Sequence, residues 1–331
     1  MKALVLTSAD GPLKYSNSDD PLALEGTALV KLHAAALNRR DFWVTQGRYP
    51  GIQAPCILGS DGAGVVEAVG EGGEKSWIGR EVIINPGMNW GDASAAQDES
   101  FRILGMPDNG TFAEKIAVPV EQLAAKPAGF SFHEAAALPL AGLTAYRALF
   151  SQGNLQEQET VLITGIGGGV AVMALKLAAA SGAKVLVTSS SPEKIARAVS
   201  LGALAGANYQ DDDWTTHLVE HGPIDLVVDG AAGGGFNDLL GLVRPGGRIV
   251  SYGGTAGPPE DFDIRKHFWK QLHLIGSTMG SPADFEAMIR LVERHGIRPE
   301  IDSITPLSDG AELVASMAKS PQFGKLVLEI T

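Results

Sequence analysis

A chain of 331 residues, 45% hydrophobic and 19% charged, is long enough for two domains with cores of their own and has an ordinary globular composition. Its formal net charge of −12 repels nucleic-acid phosphates, so no nucleic-acid partner is expected. The single cysteine, Cys56, excludes an intrachain disulfide and a cysteine-rich zinc cluster. No apolar run is long enough for a membrane span, and the opening MKALVLTSADGPLKYS lacks the apolar stretch of a secretory signal, so a cytoplasmic protein without a membrane partner is expected.

The first 120 residues read as β-rich. MKALVLT, TALVKLHAAAL, GAGVVEAVG, GREVII and GTFAEKIAVP are short apolar or alternating runs punctuated by Gly, Pro and Asp. Between the last two lies a long polar loop, residues 85–110, of a length that usually serves function. At Ser131 the texture changes to an Ala/Leu-rich helical pattern, SFHEAAALPLAGLTAYRALF. Ser131 and Glu134 there have the spacing of a capping box. Strands TVLIT, AKVLVTS, ANY, IDLVVDG, GRIVSYG and LHLIGST then alternate with helical patterns at 169–180, 192–201, 212–220 and 235–243. That alternation predicts a parallel sheet with helices on both faces. A last helix, DFEAMIRLVERHG, precedes two strand-like pieces ending FGKLVLEI. These late strands have no place in the parallel sheet and are expected to return to the N-terminal β domain.

The stretch VLITGIGGGVAVMALKL carries the main chemical signal. A strand, a glycine turn and a helix start in succession form a dinucleotide-binding fingerprint. Gly167, Gly168, Gly169 and Val170 are expected to let a pyrophosphate approach the free N–H groups and the positive end of the helix. An NAD site usually carries an acid at the end of the next strand, to bind the ribose 2′-hydroxyl. Here Ser189, Ser190 and Ser191 stand in its place. Hydroxyls suit a 2′-phosphate that a carboxylate would repel. Ser191 reads as a helix cap before Pro192, Lys194 adds a charge in the first turn, and Tyr209 ends the neighbouring strand. NADPH is therefore expected as the cofactor; Glu193 weighs against it unless its side chain points elsewhere.

Eight segments in this order, LNRRDFWVTQGRYP, GSDGAGVVEAVG, LPLAGLTAYRAL, GIGGGVA, IDLVVDGAAGG, RPGGRIVSYGG, IGSTMGS and FGKLVLEI, resemble the medium-chain dehydrogenase/reductase superfamily over essentially the whole chain. The resemblance implies an α/β protein: a doubly wound Rossmann sheet, residues 124–279, inserted into a chaperonin-10-like β-barrel domain, residues 1–123 and 280–331. Zinc-type members place metal ligands where this sequence has Asn38, Ser60 and Leu140, which cannot hold zinc. Residues 86–110, where such members carry a structural zinc lobe, contain no cysteine. The chain thus resembles the zinc-independent, quinone-oxidoreductase-like branch, which implies no metal and hydride transfer from NADPH to a quinone or an α,β-unsaturated carbonyl.

In this resemblance Asn38 and Arg40 occupy the former zinc and proton-relay positions. Asn38 can orient a substrate, and Arg40 can bind an oxyanion or form a local ion pair with Asp41 that supports the loop. Tyr49 can donate a proton or line the nicotinamide pocket. Thr144, the Gly253–Gly254 turn and Thr278–Met279 are expected beside the nicotinamide. Lys325 resembles a lysine near the family's cleft, with a solvated surface lysine as the simpler reading. Phe42, Trp43 and Trp90 can form a substrate wall or simple packing. Cys56 reads as a small buried residue, and the His217/His221 pair as part of a solvated helix. Two alternatives stay open: a zinc-type alcohol dehydrogenase, and a non-catalytic NADPH-binding protein. LHLIGST reads as an apolar sheet edge that needs a partner, so a homodimer is expected.

Overall fold

The computed structural model describes residues 1–9 and 11–331. It divides into two compact units: Met1–Ala141 with Ser281–Ile289 and Arg298–Thr331, and Gly142–Gly280 with Arg290–Ile297.

The first unit opens with strands β1 (Lys2–Leu6), β2 (Leu13–Asn17) and β3 (Thr27–Ala36) and the short helix α1 (Arg39–Thr45). There follow β4 (Cys56–Ile57), β5 (Asp61–Val69), β6 (Glu81–Ile84), β7 (Gly87–Met88) and β8 (Arg102–Ile103). Next come β9 (Lys115–Pro119), β10 (Leu123–Ala125) and α2 (Phe132–Ala136), and then α3 (Pro139–Tyr146), which begins in this unit and runs past its end at Ala141. The helical pattern expected as one run from Ser131 is broken at Pro139, which has no N–H to continue α2, and it ends in a π-helical turn, Arg147–Gln152. The capping box forms as the sequence implies: Ser131 Oγ accepts from Glu134 N at 3.2 Å and Ser131 N donates to Glu134 Oε2 at 2.8 Å.

The second unit carries β11 (Thr160–Ile163), α4 (Gly169–Ala180), β12 (Lys184–Ser189), α5 (Pro192–Ser200) and β13 (Ala205–Asn208). It continues through α6 (Trp214–Val219), β14 (Ile224–Asp229), α7 (Phe236–Leu242), β15 (Val243–Ser251), α8 (Ile264–Trp269) and β16 (His273–Gly276). The six strands are all parallel, in the order β13-β12-β11-β14-β15-β16. This is the doubly wound order. Val161–Ile163, Val185–Val187 and Leu226–Val228 are fully buried, which is why they read as unbroken apolar runs rather than alternating ones.

The chain ends with α9 (Pro282–His295), β17 (Ile301–Pro306), α10 (Gly310–Ser316) and β18 (Lys325–Glu329). As expected, β17 and β18 join the first unit, whose larger sheet runs β10-β6-β5-β3-β18-β17 with β9 also on β3. The unit boundary differs from the sequence expectation. Residues 124–141 belong with the first unit, because α2 packs on β3, β5 and β18 and Phe132 stacks on His33 at 4.5 Å. Residues 290–297 group with the second unit rather than the first. Among the described residues no helix is long and apolar enough to cross a membrane.

Candidate functional site

Two groups of residues are the candidates for chemistry, one in each unit. In the second unit all strands are parallel, so every loop after a strand lies on one sheet edge, where such folds take ligands. The first of these loops joins β11 to α4. Gly165 and Gly167 have φ of +62° and +128°, conformations that disfavour any side chain. A Cβ at Gly165 or Gly168 would meet nothing within 4 Å, so the glycines leave open space above the loop. Gly168 caps α4, whose first N–H groups have no partner within the helix. Ala171, 1% exposed, lets the helix pack close to the sheet. The loop therefore fits a pyrophosphate: space, free donors and a helix N-terminus coincide.

A staple that the sequence reading missed holds this loop to the one after β14. Thr164 Oγ1 donates to the buried Asp229 Oδ1 at 2.6 Å, and Asp229 also accepts from Ala231 N at 3.1 Å and Ala232 N at 2.9 Å. The signal was the acid ending an otherwise apolar strand, IDLVVDG.

The residues expected at the adenosine end come together where β12 and β13 finish. Tyr209 N donates to Ser189 O at 3.2 Å. Ser189 is buried, and its Oγ accepts from Ser191 N at 3.1 Å. Ser191 caps α5 through Lys194 N at 3.2 Å and donates to Glu193 Oε2 at 2.7 Å. Two of the three serines thus shape the turn. Ser190 is exposed, Lys194 is half-buried, and Glu193 is turned onto its own helix cap. Farther along the edge, Thr144 Oγ1 and Met279 Sδ lie 4.0 Å apart and both residues are buried. Gly253 and Gly254 follow β15, and Thr278 follows β16, on the same edge.

In the first unit, β3 lies between β18 and β5, with Ala36 opposite both Val327 and Asp61. That register draws the residue just past β3, Asn38, to the starts of the other two strands. Lys325 Nζ donates to Asn38 Oδ1 at 2.7 Å and to Asp61 Oδ2 at 2.8 Å. Asn38 Nδ2 donates to Asp61 Oδ2 at 2.9 Å, and Leu140 N donates to Asp61 Oδ1 at 2.7 Å. Asp61 is fully buried and the Lys325 side chain is 3% exposed. The surface reading of Lys325 is therefore corrected. Sequence gave little warning, because 264 positions separate it from its acid; a charge inside the apolar run FGKLVLEI was the one local hint.

Arg40 turns away from this cluster. Its Nη1 donates to Ser60 Oγ at 2.8 Å and Leu104 O at 2.9 Å, and Nη2 donates to Met106 O at 3.3 Å. Ser60 Oγ itself donates to Leu104 O at 2.7 Å. Nε reaches Tyr49 Oη at 3.5 Å, and the guanidinium lies 5.1 Å from that ring's centre. Arg40 thus ties α1 to the loop at 85–110 rather than pairing with Asp41. Asp41 accepts from Asn38 N at 2.7 Å through Oδ2, while Oδ1 has no partner among the described residues. Burial pushes its carboxyl up to about 6, against the pull of Arg40 and the Asn38 N–H.

The remaining candidates take structural places. Cys56 is buried against the carbonyls of Ile57 and Asp108, both at 3.4 Å, and burial pushes its thiol up to about 11. His217 meets Asp213 at 3.1 Å on an exposed helix face. Phe42 packs on Trp43 at 5.2 Å, and Trp90 meets Phe101 edge-on at 5.4 Å within the long loop.

Zinc does not fit the first-unit cluster. Asn38 Nδ2 and Leu140 N meet Asp61 while the Ser60 hydroxyl is taken up by Arg40 and Leu104 O, and an amide, a hydroxyl and an aliphatic chain supply no thiolate or imidazole. The Asp61 carboxylate already accepts from an ammonium, an amide and a backbone N–H.

Residues 24–128 match the alcohol dehydrogenase GroES-like domain, and residues 169–294 match the zinc-binding dehydrogenase domain. The chain is 35% identical over 340 residues to the zinc-type alcohol dehydrogenase-like protein YogA of Leptosphaeria maculans, covering 96% of this chain and 95% of that protein. It is 28% identical over 339 residues to the acryloyl-coenzyme A reductase of Sulfurisphaera tokodaii, covering 99% of this chain and 100% of that one. The crystal structure of an NAD-dependent alcohol dehydrogenase matches with a TM-score of 0.95 at 34% identity, covering 100% of both chains. With its GroES-like domain and its Rossmann sheet, the chain belongs to the medium-chain dehydrogenase/reductase superfamily, whose members are nicotinamide-dependent oxidoreductases.

Proposed function

We propose that this chain is an NADPH-dependent reductase of α,β-unsaturated carbonyls or quinones that works without a metal ion. The observation that carries the reading is the buried Asn38–Asp61–Lys325 cluster. In it Asn38, which stands where the resemblance places a zinc ligand in zinc-type members, is an amide tied to a carboxylate and an ammonium. Without a Lewis acid, an alcohol has no ready route to its alkoxide. Addition of hydride to the β-carbon of an enone is less demanding, because the negative charge spreads over an enolate that hydrogen-bond donors can stabilise. One such donor is typically worth about 2.7–4 kcal/mol at the transition state.

The nicotinamide, when bound, supplies the hydride. The chain's own residues bind and orient. The Gly165–Gly169 loop and the α4 N-terminus hold the pyrophosphate, and Ser190, Lys194 and Tyr209 take the 2′-phosphate. Thr144, Gly253, Gly254, Thr278 and Met279 line the nicotinamide. Asn38 donates to the carbonyl oxygen of the acceptor, and Tyr49 is the nearby hydroxyl that can return a proton. Similarity to an acryloyl-coenzyme A reductase supports reduction of a conjugated double bond. Similarity to an NAD-dependent alcohol dehydrogenase favours a second reading, NAD-linked alcohol oxidation.

A panel of enones, quinones and alcohols, each with NADPH or NADH and followed by coenzyme absorbance, separates these readings when joined to metal analysis. NADPH oxidation by an enone or quinone that survives chelation is expected. Alcohol oxidation by protein holding one zinc per chain would overturn the proposal, and coenzyme binding with no turnover of any acceptor would mean a non-catalytic protein.

A further inference from the structure

We infer that Lys325 and Asp61 are positioning residues that fix the Asn38 amide in a single orientation, with one N–H kept as the donor to the acceptor's carbonyl oxygen. The inference rests on the reductase reading for the identity of that oxygen. The fixing itself follows from the contacts. Asn38 Oδ1 accepts from the Lys325 ammonium at 2.7 Å, and Asn38 Nδ2 donates to Asp61 Oδ2 at 2.9 Å. Turning the amide over would set its NH2 against the ammonium and its oxygen against the carboxylate, exchanging two attractive contacts for two repulsive ones. The penalty is large here because the site is dry: Asp61 is fully buried, Lys325 is 3% exposed and Asn38 is 7% exposed. Asp61 cannot swing to relieve it, since its Oδ1 is held by Leu140 N at 2.7 Å.

Nδ2 carries two protons. Asp61 takes one, and among the described residues the other has no acceptor. The ammonium on Oδ1 draws electron density out of the amide and makes that remaining N–H a stronger donor. Lys325 and Asp61 cancel in net charge. What they contribute is orientation and polarisation at Asn38 rather than a field of their own, and this separates a positioning residue from one that meets the substrate.

The test is steady-state kinetics with NADPH and the best acceptor from the panel, on K325M, the K325M/D61N pair, K325R, N38A and N38A/K325M. The K325M/D61N pair leaves no uncompensated buried charge, so it tests the idea even where K325M fails to fold. Both K325M and K325M/D61N are expected to lose about ten- to hundredfold in kcat, with KM for the acceptor and NADPH affinity close to wild type and K325R recovering part of the loss. In an N38A background K325M should cost almost nothing further, because the residue through which it acts is gone. Wild-type kcat in K325M/D61N would overturn the inference, as would a full K325M penalty persisting in N38A. If the wild-type chain turns over alcohols only, the reductase reading fails on its own, while the N38A–K325M coupling in alcohol turnover still decides whether Lys325 positions the amide.

Discussion

Replacing Arg40 by methionine asks whether a buried guanidinium serves the loop at 85–110 or the reaction. Arg40 is 8% exposed and spends its donors on Ser60 Oγ at 2.8 Å, Leu104 O at 2.9 Å and Met106 O at 3.3 Å. A hydrogen bond to a charged group contributes about 1.5–3 kcal/mol, with the longest of the three at the weak end. Leu104 O keeps the Ser60 hydroxyl as a donor, so one acceptor is not stranded. Methionine refills most of the volume, leaving a loss of about 3–5 kcal/mol. Urea unfolding gives the total. Amide hydrogen exchange gives the location: residues 102–106 should exchange faster in R40M, while β11 and β12 keep their protection. A variant with wild-type stability and loop protection but no turnover would refute the reasoning and put the guanidinium on the substrate.

Lys194→Ala is expected to weaken NADPH binding far more than NADH binding, read by coenzyme titration; equal losses would mean that the lysine never meets a phosphate. Asp41 has a folded pKa of about 6 against an ordinary 3.8. The folded state therefore holds its proton between about pH 4 and 6, where the unfolded chain has released it, so this group makes stability fall as pH rises through that window. At about 1.36 kcal/mol per pH unit the separation is worth about 3 kcal/mol, and Asp41→Asn should remove the fall; a stability difference from wild type that stays flat with pH would count against a strained carboxyl. At the sheet edge, β16 has a neighbour on one side only, Leu274 is exposed, and Trp269 in the preceding helix is 82% exposed. Light scattering should give the mass of two chains and Leu274→Lys that of one; a wild-type monomer would refute pairing through this edge.

The two groups of candidate residues were unequally legible. The glycine loop, the serines and Lys194 lie within 30 residues of one another in a strand-turn-helix pattern whose meaning is local. The backbone of that pattern is set by the glycines themselves, at Gly165 and Gly167 above all. The parallel sheet was equally legible, because strands buried on both faces are continuous apolar runs. Less so were the short elements. The helix of Arg39–Thr45 was hidden in a segment read as a motif, and Pro139 split a helix that composition alone joined.

The sequence by itself determined that two textures exist, one β-rich and one of alternating strands and helices, that the second carries a strand-glycine-helix turn, and that Asn38, Ser60 and Leu140, none of them a thiolate or an imidazole, stand where the family resemblance places zinc ligands. Only the tertiary structure decided what stands there instead. Asn38, Asp61 and Lys325 are brought together by strand register across β18, β3 and β5, and register is a property of the assembled sheet that no local spacing encodes. The same holds for Arg40. Its partners are backbone carbonyls of a distant loop, and a carbonyl carries no mark in the sequence.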